Sequence, residues 1–499
     1  MSGSEEIKEI NQSGKLIATY IRSHTTDTSG TKSDRIDVDI PKGPSTWVMS
    51  LVGAFMPVGY PDSVTEDYTA WVFLSLDIYP ALFSWLKWYQ FYDSIQAFAS
   101  TIAGLLASRA VLQGLGVGDS TASATHAVLL SILQESAGRI STILFAHRLG
   151  SALEPECKKY RLMADIFNDA AMILDCVSPA FPKIPRVFLL SASSVCKSLC
   201  GVAAGSSKAS LSAHFAKMGN LAELNAKDAS QETLISLLGM LVGTFVVSKI
   251  SSQVATWIAL LSLLSIHLGT NYMAVRSVTM RTLNRQRANL VISSFLSMPG
   301  HEKNKTVLPS PREISLQERI FERDGAIRNI QGTILAYCKV GTSLQELLSS
   351  ISTPTTAGSY AENDSILTSL LSIYKTQGYI MWYSHSRHTF LVVLKEGTAP
   401  KVQLDAWFHA IFAVTFTEKK IESETKRMDN QSVLSWMRNS LEASEKWRAE
   451  TKFYEQLERR GWDLNTPAIE VRAGTRLIVS GGEERGEYDV GMVNGEPTG

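Results

Sequence analysis

Two groups of polar residues have the types and spacing to do chemistry. In YRLMADIFNDAAMILD, Arg161, Asp165, Asn168 and Asp169 recur at steps of four, three and one. On a helix they share one stripe, with Arg161 placed to pair with Asp165, while Leu162, Ile166 and Ala170 form a neighbouring apolar stripe. Turned inward, such a stripe offers a guanidinium and carboxylates to a common interior that can hold an ion or a small polar solute. Turned outward, it is a solvated helix face held by i,i+4 pairing. The second group lies in NAKDASQETLISLLG (225–239), where Asp228 and Glu232 are four apart. Like charges at that spacing repel unless Lys227, Arg161 or a ligand neutralises them. The same residues also read as a helix start, with Asp228 as N-cap and Gln231 three residues on. A helix N-terminus directed into a bundle is itself able to receive an anion.

Other motifs carry less. GLGVGD places Gly116, Gly118 and Asp119 in a G-x-G-x-G run rather than a dinucleotide fingerprint, and a loop between two helices is expected there. In GVAAGSSKAS, Lys208 does not directly follow the second glycine as a phosphate loop requires. No G-x-S-x-G or H-E-x-x-H occurs. His385 and His388 fall in a hairpin turn, and His409 on the apolar side of WFHAIF is expected as a satisfied core imidazole. The five cysteines include no C-x-x-C and lack histidines at ligand spacing, so reduced, buried thiols are expected and no metal site. No catalytic residue is assigned, and any cofactor stays unidentified.

The elements that must position these groups follow from where the charges lie. The 48 Lys+Arg balance the 48 Asp+Glu over 499 residues, which excludes a polybasic nucleic-acid binder. The 19% charged residues fall below the roughly 25% of soluble domains. From Trp47 to about Val275 charges are sparse. Residues 250–275 contain no Asp, Glu, Lys or Arg and exceed the about 20 residues a bilayer span needs. Residues 233–248 form a second uncharged run, so 233–275 reads as a tight helical hairpin turning near Lys249–Ser252. Gly239 and Gly243 make a G-x-x-x-G that lets a neighbouring helix approach closely, and Gly201 and Gly205 repeat the spacing. Arg276, Arg281, Arg285 and Arg287 follow the second run and favour a cytosolic C-terminal side. Asp77, Arg109, Asp165, Asp169 and Asp175 interrupt other apolar stretches, as residues facing a polar interior would.

The expected fold is mainly α: a helical membrane-associated bundle followed by a smaller α+β C-terminal domain. Residues 1–45 form a polar segment with short strands, KLIATYIRS and DRIDVDIP pairing. Residues 46–295 form the helical domain, 296–313 a linker, 314–478 the α+β domain and 479–499 a disordered tail. Within the α+β domain, SLQERIFERDG and SLQELLSSI read as helices, and GYIMWYS with HTFLVVLKEG as a hairpin. KVQLDAWFHAIFAV is an amphipathic helix, and residues 430–461 a long charged one. The N-terminus carries acids and no apolar signal core, so an intracellular location is expected.

Taken together, MPVGYPDSVTEDY (56–68), WYQFYDSIQAFAS (88–100), GLGVGDSTASAT (114–125), KKYRLMADIFNDAAM (158–172) and HFAKMGNLAELNAKDASQETLISLLG (214–239) resemble the root UVB sensitive (RUS) family. The resemblance spans about 45–275 and is weaker through the C-terminal hairpin. It implies membrane association, complexes of paired family members and links to ultraviolet-B responses and vitamin B6 homoeostasis, with no established catalytic residues. It puts weight on Pro57, Gly59, Tyr60, Pro61, Gly116, Gly118, Asp119, Arg161, Asp165, Asn168, Asp169, Asn220, Lys227, Asp228, Gln231 and Glu232. The chain departs from the family pattern at Glu135-Ser136-Ala137, and its opening does not resemble a plastid leader. The expected protein is thus an intracellular membrane protein, cytosolic at its C-terminal domain, acting in a homo- or hetero-oligomer with a family member and without nucleic acid. A small-solute carrier and an enzyme or binding protein for a vitamin B6-like phosphate are the two alternatives.

Overall fold

The computed structural model describes residues 5–10, 16–26, 32–39, 55–57, 63–68, 89–114, 124–217, 219–297, 308–351, 364–424, 429–471 and 474–478. Gly59, Tyr60, Pro61, Asp77, Gly116, Gly118 and Asp119, and the tail from 479, lie outside them. The chain divides into two compact units, Met1–Leu335 with Lys446–Arg472, and Ala336–Glu445 with Ala473–Gly499.

The first unit opens with an antiparallel meander, β1 (Glu5–Ile10), β2 (Leu16–Thr26) and β3 (Lys32–Asp39), which contains the expected strand pair. Among the described residues six helices follow: α1 (Tyr89–Gly114), α2 (Ala124–Leu153), α3 (Cys157–Val177), α4 (Lys183–Phe215), α5 (Leu221–Lys249) and α6 (Gln253–Ser277). All but α3 contain stretches long and apolar enough to cross a membrane. Helix α1 packs along α3, α5 and α6; α3 packs along α4, and α2 lies on α4.

The hairpin of uncharged runs is present, since α5 ends at Lys249 and Ser252 caps α6 by accepting the Ala255 N–H. Its two helices do not zip along each other, however. Both lie along α1. The G-x-x-x-G explains this, because a Cβ on Gly239 would sit 2.9 Å from Thr101 Cβ and one on Gly243 would sit 2.6 Å from Leu105 Cδ1. The spacing lets α5 dock on α1 rather than on its sequence neighbour. Gly201 and Gly205, by contrast, face open space. Arg109, near the end of α1, donates to the carbonyls of Val247 and Ile250 at 2.9 and 2.6 Å, supplying a cation where the α5 dipole is negative.

Beyond α6 come α7 (Arg285–Leu296), α8 (Pro311–Gln317) and the short β4 (Ala326–Arg328). Helix α8 starts earlier than SLQERIFERDG suggests and stops at Gln317. Pro311 sits in its first turn, and Ser310 with Glu313 forms a reciprocal capping box.

The second unit builds its sheet from β5 (Ile334–Val340), followed by α9 (Leu344–Ile351), α10 (Asp364–Ile373) and the hairpin β6 (Tyr379–Ser384) and β7 (Thr389–Lys395). Strand β7 runs antiparallel to β6, with Trp382 opposite Leu391, and parallel to β5. Every residue of β6 is buried, as is β7 except Lys395, and the buried Trp407, Phe408 and Ile411 lie on α11 (Pro400–Glu424). The charged segment forms α12 (Asn430–Glu450) and then, back in the first unit, α13 (Phe453–Arg459). It is not one helix, because Lys452 adopts a left-handed backbone, φ 49°, between the two. Strand β8 (Arg476–Leu477) pairs with β7. The fold is mainly helical with a smaller strand-containing C-terminal region.

Candidate functional site

The polar stripe on α3 faces inward. Asp165 and Asp169 are 4% and 7% exposed, so the solvated-face reading of this stripe falls. Its partners come from α1 and α6. Arg161 Nη2 donates to Asp93 Oδ1 at 2.7 Å and to Gln96 Oε1 at 3.3 Å, while its expected partner Asp165 lies 3.8 Å from Nη1. Asp165 accepts instead from the amides of Gln96 and Asn271. Asn168 donates to Ser100 Oγ at 3.1 Å. His267 sits between two carboxylates, with Nδ1 2.6 Å from Asp169 and Nε2 3.4 Å from Asp165.

A second cluster joins α1, α4 and α5. Asp228 lies in the middle of a turn of α5 rather than at its cap, because the helix begins at Leu221 behind Asn220. It accepts from Gln90 Nε2 at 2.6 Å and pairs with Lys208 at 2.8 Å. Lys208 also meets Glu232 at 2.7 Å, so the like-charged pair is neutralised from α4 by Lys208. Lys227 is half-buried on α5. Asn220 and Gln231 tie down the segment before α1, donating to the carbonyls of Ser63 and Phe55 at 3.2 and 2.8 Å. Pro57 is buried there. Asp175 is separate, paired with Lys197 at 2.7 Å.

Ordered along α1, the interior changes character. Gln90, Asp93, Gln96 and Ser100 hold the polar groups in succession. Ala103, Ala107 and Ala110 then pack with Met172, Cys176, Leu260 and Leu264 in a dry layer. The polar column therefore runs from the end shared by the α1 N-terminus and the α6 C-terminus to His267, close to the middle of α6. Outside, the order is reversed: Ile143, Leu241, Phe245 and Ile258 stand 63–71% exposed. Among the described residues, two buried atoms in the column lack partners, Arg161 Nε and Asn271 Oδ1.

Pattern reading missed Gln90, Asp93, Gln96, Lys208, His267 and Asn271. A signal existed in the three-residue spacing of Gln90, Asp93 and Gln96, and in His267 and Asn271 one turn apart. Counting charges passes over neutral polar side chains, which is why the run holding His267 looked featureless.

Near that end of the bundle a third cluster closes the base of α3. Glu318, 4% exposed, takes Lys158 at 2.5 Å and Arg287 at 2.7 Å. Burial pushes its carboxyl up, but the two cations outweigh that and hold it below the ordinary carboxylate range. Among the described residues no three His, Cys, Asp or Glu converge to hold a metal ion.

The vitamin B6 photo-protection and homoeostasis domain model matches residues 41–298. RUS family member 1 of Dictyostelium discoideum is 43% identical over 54% of this chain, and the match covers 47% of that relative, about half its length. Protein root UVB sensitive 3 of Arabidopsis thaliana is 29% identical over 74% of this chain and 76% of the relative. Protein root UVB sensitive 2, chloroplastic, of the same plant is 26% identical over 75% of each. No solved structure matches the chain. The cavity beside Lys208, lined by Tyr68, Tyr89, Phe215 and Asp228, is about 10 Å³, room for a single water, and Asp228 and Glu232 already hold its ammonium. As arranged here, these residues do not fit an anionic vitamin B6 phosphate.

Proposed function

Because the chain belongs to the vitamin B6 photo-protection and homoeostasis domain family, also called root UVB sensitive, we propose that it is an intracellular membrane protein that carries a small polar solute of the vitamin B6 class. The observation that carries this reading is the inversion of the helical unit, with carboxylates, a guanidinium, amides and an imidazole inside and bare aliphatic side chains outside. In water that arrangement wastes apolar burial; in a bilayer it satisfies both surfaces. Ionisable groups kept inside such a bundle usually mark a solute or ion path. The arginines at and after the end of α6 favour a cytosolic C-terminal side, the side on which the polar column begins. The uncharged vitamers suit this interior better than the phosphorylated form. The test is reconstitution of the full chain in vesicles with radiolabelled pyridoxine. Uptake is expected, and it falls at least tenfold in Arg161→Ala. Extraction of the protein from native membranes by alkaline carbonate, or vesicles that take up no vitamer, would overturn the reading.

A second reading, assembly with another copy or a family member, rests on Gly201 and Gly205, which leave a smooth track on α4 open to a neighbouring helix. Gly201→Leu is then expected to convert a complex into monomers in mild detergent. A wild-type chain already monomeric there would remove it.

A further inference from the structure

The blind end of the polar column has an unbalanced charge. Asp93, Asp165 and Asp169 face a single guanidinium, Arg161, around a neutral or protonated His267. The other titratable groups nearby, Tyr89 on α1 and Cys200 on α4, are ordinarily neutral and offset nothing. With a neutral imidazole the cluster holds an excess of two negative charges away from water, which is costly. The ring geometry points the same way. Both nitrogens of His267 face carboxylate oxygens, and a neutral imidazole has only one N–H to give. An imidazolium donates to both.

We propose that His267, clamped between Asp165 and Asp169, is a proton-exchange site at the closed end of the column, and that its protonation is coupled to solute movement. The coupling rests on the carrier reading; the proton site does not. Uptake forms one N–H bond on the imidazole with a proton that comes from water. Release returns that proton and leaves one carboxylate without its donor. When Asp165 is the one released, it keeps the amides of Gln96 and Asn271 and stands beside the unpartnered Arg161 Nε and Asn271 Oδ1. A donor, an acceptor and a carboxylate are then available together to a solute with a basic nitrogen.

The test uses the full chain with ¹⁵N-labelled histidine in lipid nanodiscs. His267→Gln identifies its signal among the nine histidines. That signal is expected to titrate with one proton between about pH 5 and about pH 9, and its midpoint to fall by about one unit, tenfold in proton affinity, in Asp169→Asn. Asp169→Glu restores it, separating a proton partner from a merely structural residue. A His267 that stays neutral throughout, or a midpoint unmoved by Asp169→Asn, overturns the proposal. In parallel, vesicles with a trapped pH-sensitive dye receive pyridoxal on one side. A lumenal pH change lost in His267→Gln supports coupling, and pyridoxal movement with no pH change overturns it. If His267 titrates but no pyridoxal moves, the proton site stands and the carrier reading falls.

Discussion

Two buried histidines show how differently the two units are built. His409 in the sheet unit is fully enclosed, among residues such as Tyr374 and Tyr379, with the Tyr379 hydroxyl at 3.2 Å and Ser440 Oγ at 2.9 Å. Burial pushes its pKa down to about 3, so it is a neutral core side chain. His267 in the helical unit is as well enclosed, yet its neighbours are two carboxylates, amides and a guanidinium. Around His409 lies the interior expected of a domain stabilised in water, with Trp382, Trp407, Phe390 and Phe408 nearly inaccessible. Around His267 the chain buries what water would readily solvate and exposes Leu241 and Phe245. Similar burial with opposite chemistry is what the proposed membrane reading expects, with lipid around the helical unit and water around the sheet unit.

The contrast can be broken at several points. The largest effects should come from emptying each interior in its own way. Trp407→Ala opens a cavity in the sheet unit and should cost about 3–5 kcal/mol, read as loss of the cooperative urea transition while the helical far-ultraviolet signal persists. Glu318→Gln in the helical unit leaves Lys158 and Arg287 buried together, and should likewise cost about 3–5 kcal/mol. Because the Glu318 carboxyl is held below its ordinary value, its contribution is intact above about pH 4.5 and fades as pH falls through the folded value. His409 acts over a different window. The unfolded imidazole takes a proton near pH 6.5 and the folded one only near 3, so the sheet unit should lose about 1.4 kcal/mol per pH unit on acidification below about 6. His409→Phe should flatten that slope in a pH series of denaturation curves.

Leu241→Asp on α5 should cost about 2.5–3.5 kcal/mol of membrane insertion and shift protein into the carbonate-soluble fraction. Arg387→Ala, exposed in the β6–β7 turn, should change stability by no more than about 0.5 kcal/mol. Gly243→Leu is expected to cost about 1–3 kcal/mol by holding α5 off α1, seen as a lower melting temperature in detergent.

Much of this was visible in the residues themselves. Runs of β-favouring apolar residues located β6 and β7, and uncharged runs located α5 and α6 with their turn. The pattern Arg161, Asp165, Asn168, Asp169 placed one side of the polar column on a single helix face. What the pattern could not supply was the opposite wall. Gln90, Asp93 and Gln96 carry one charge between them and sit beside aromatic residues, so they read as an ordinary amphipathic start. Lys208, which neutralises Asp228, is 20 residues away in sequence and belongs to another helix. Long-range pairing of this kind is set by packing, and α5 docking on α1 through Gly239 and Gly243 decides which polar residues meet.

Whether the helical unit is turned inside out toward lipid can be read with a lipid-soluble carbene photolabel, mapped peptide by peptide in native membranes. Label is predicted on α2, α5 and α6 at Ile143, Leu241, Phe245 and Ile258, with none on β6, β7 or α11. Label absent from those helices, or spread equally over the sheet unit, would contradict it.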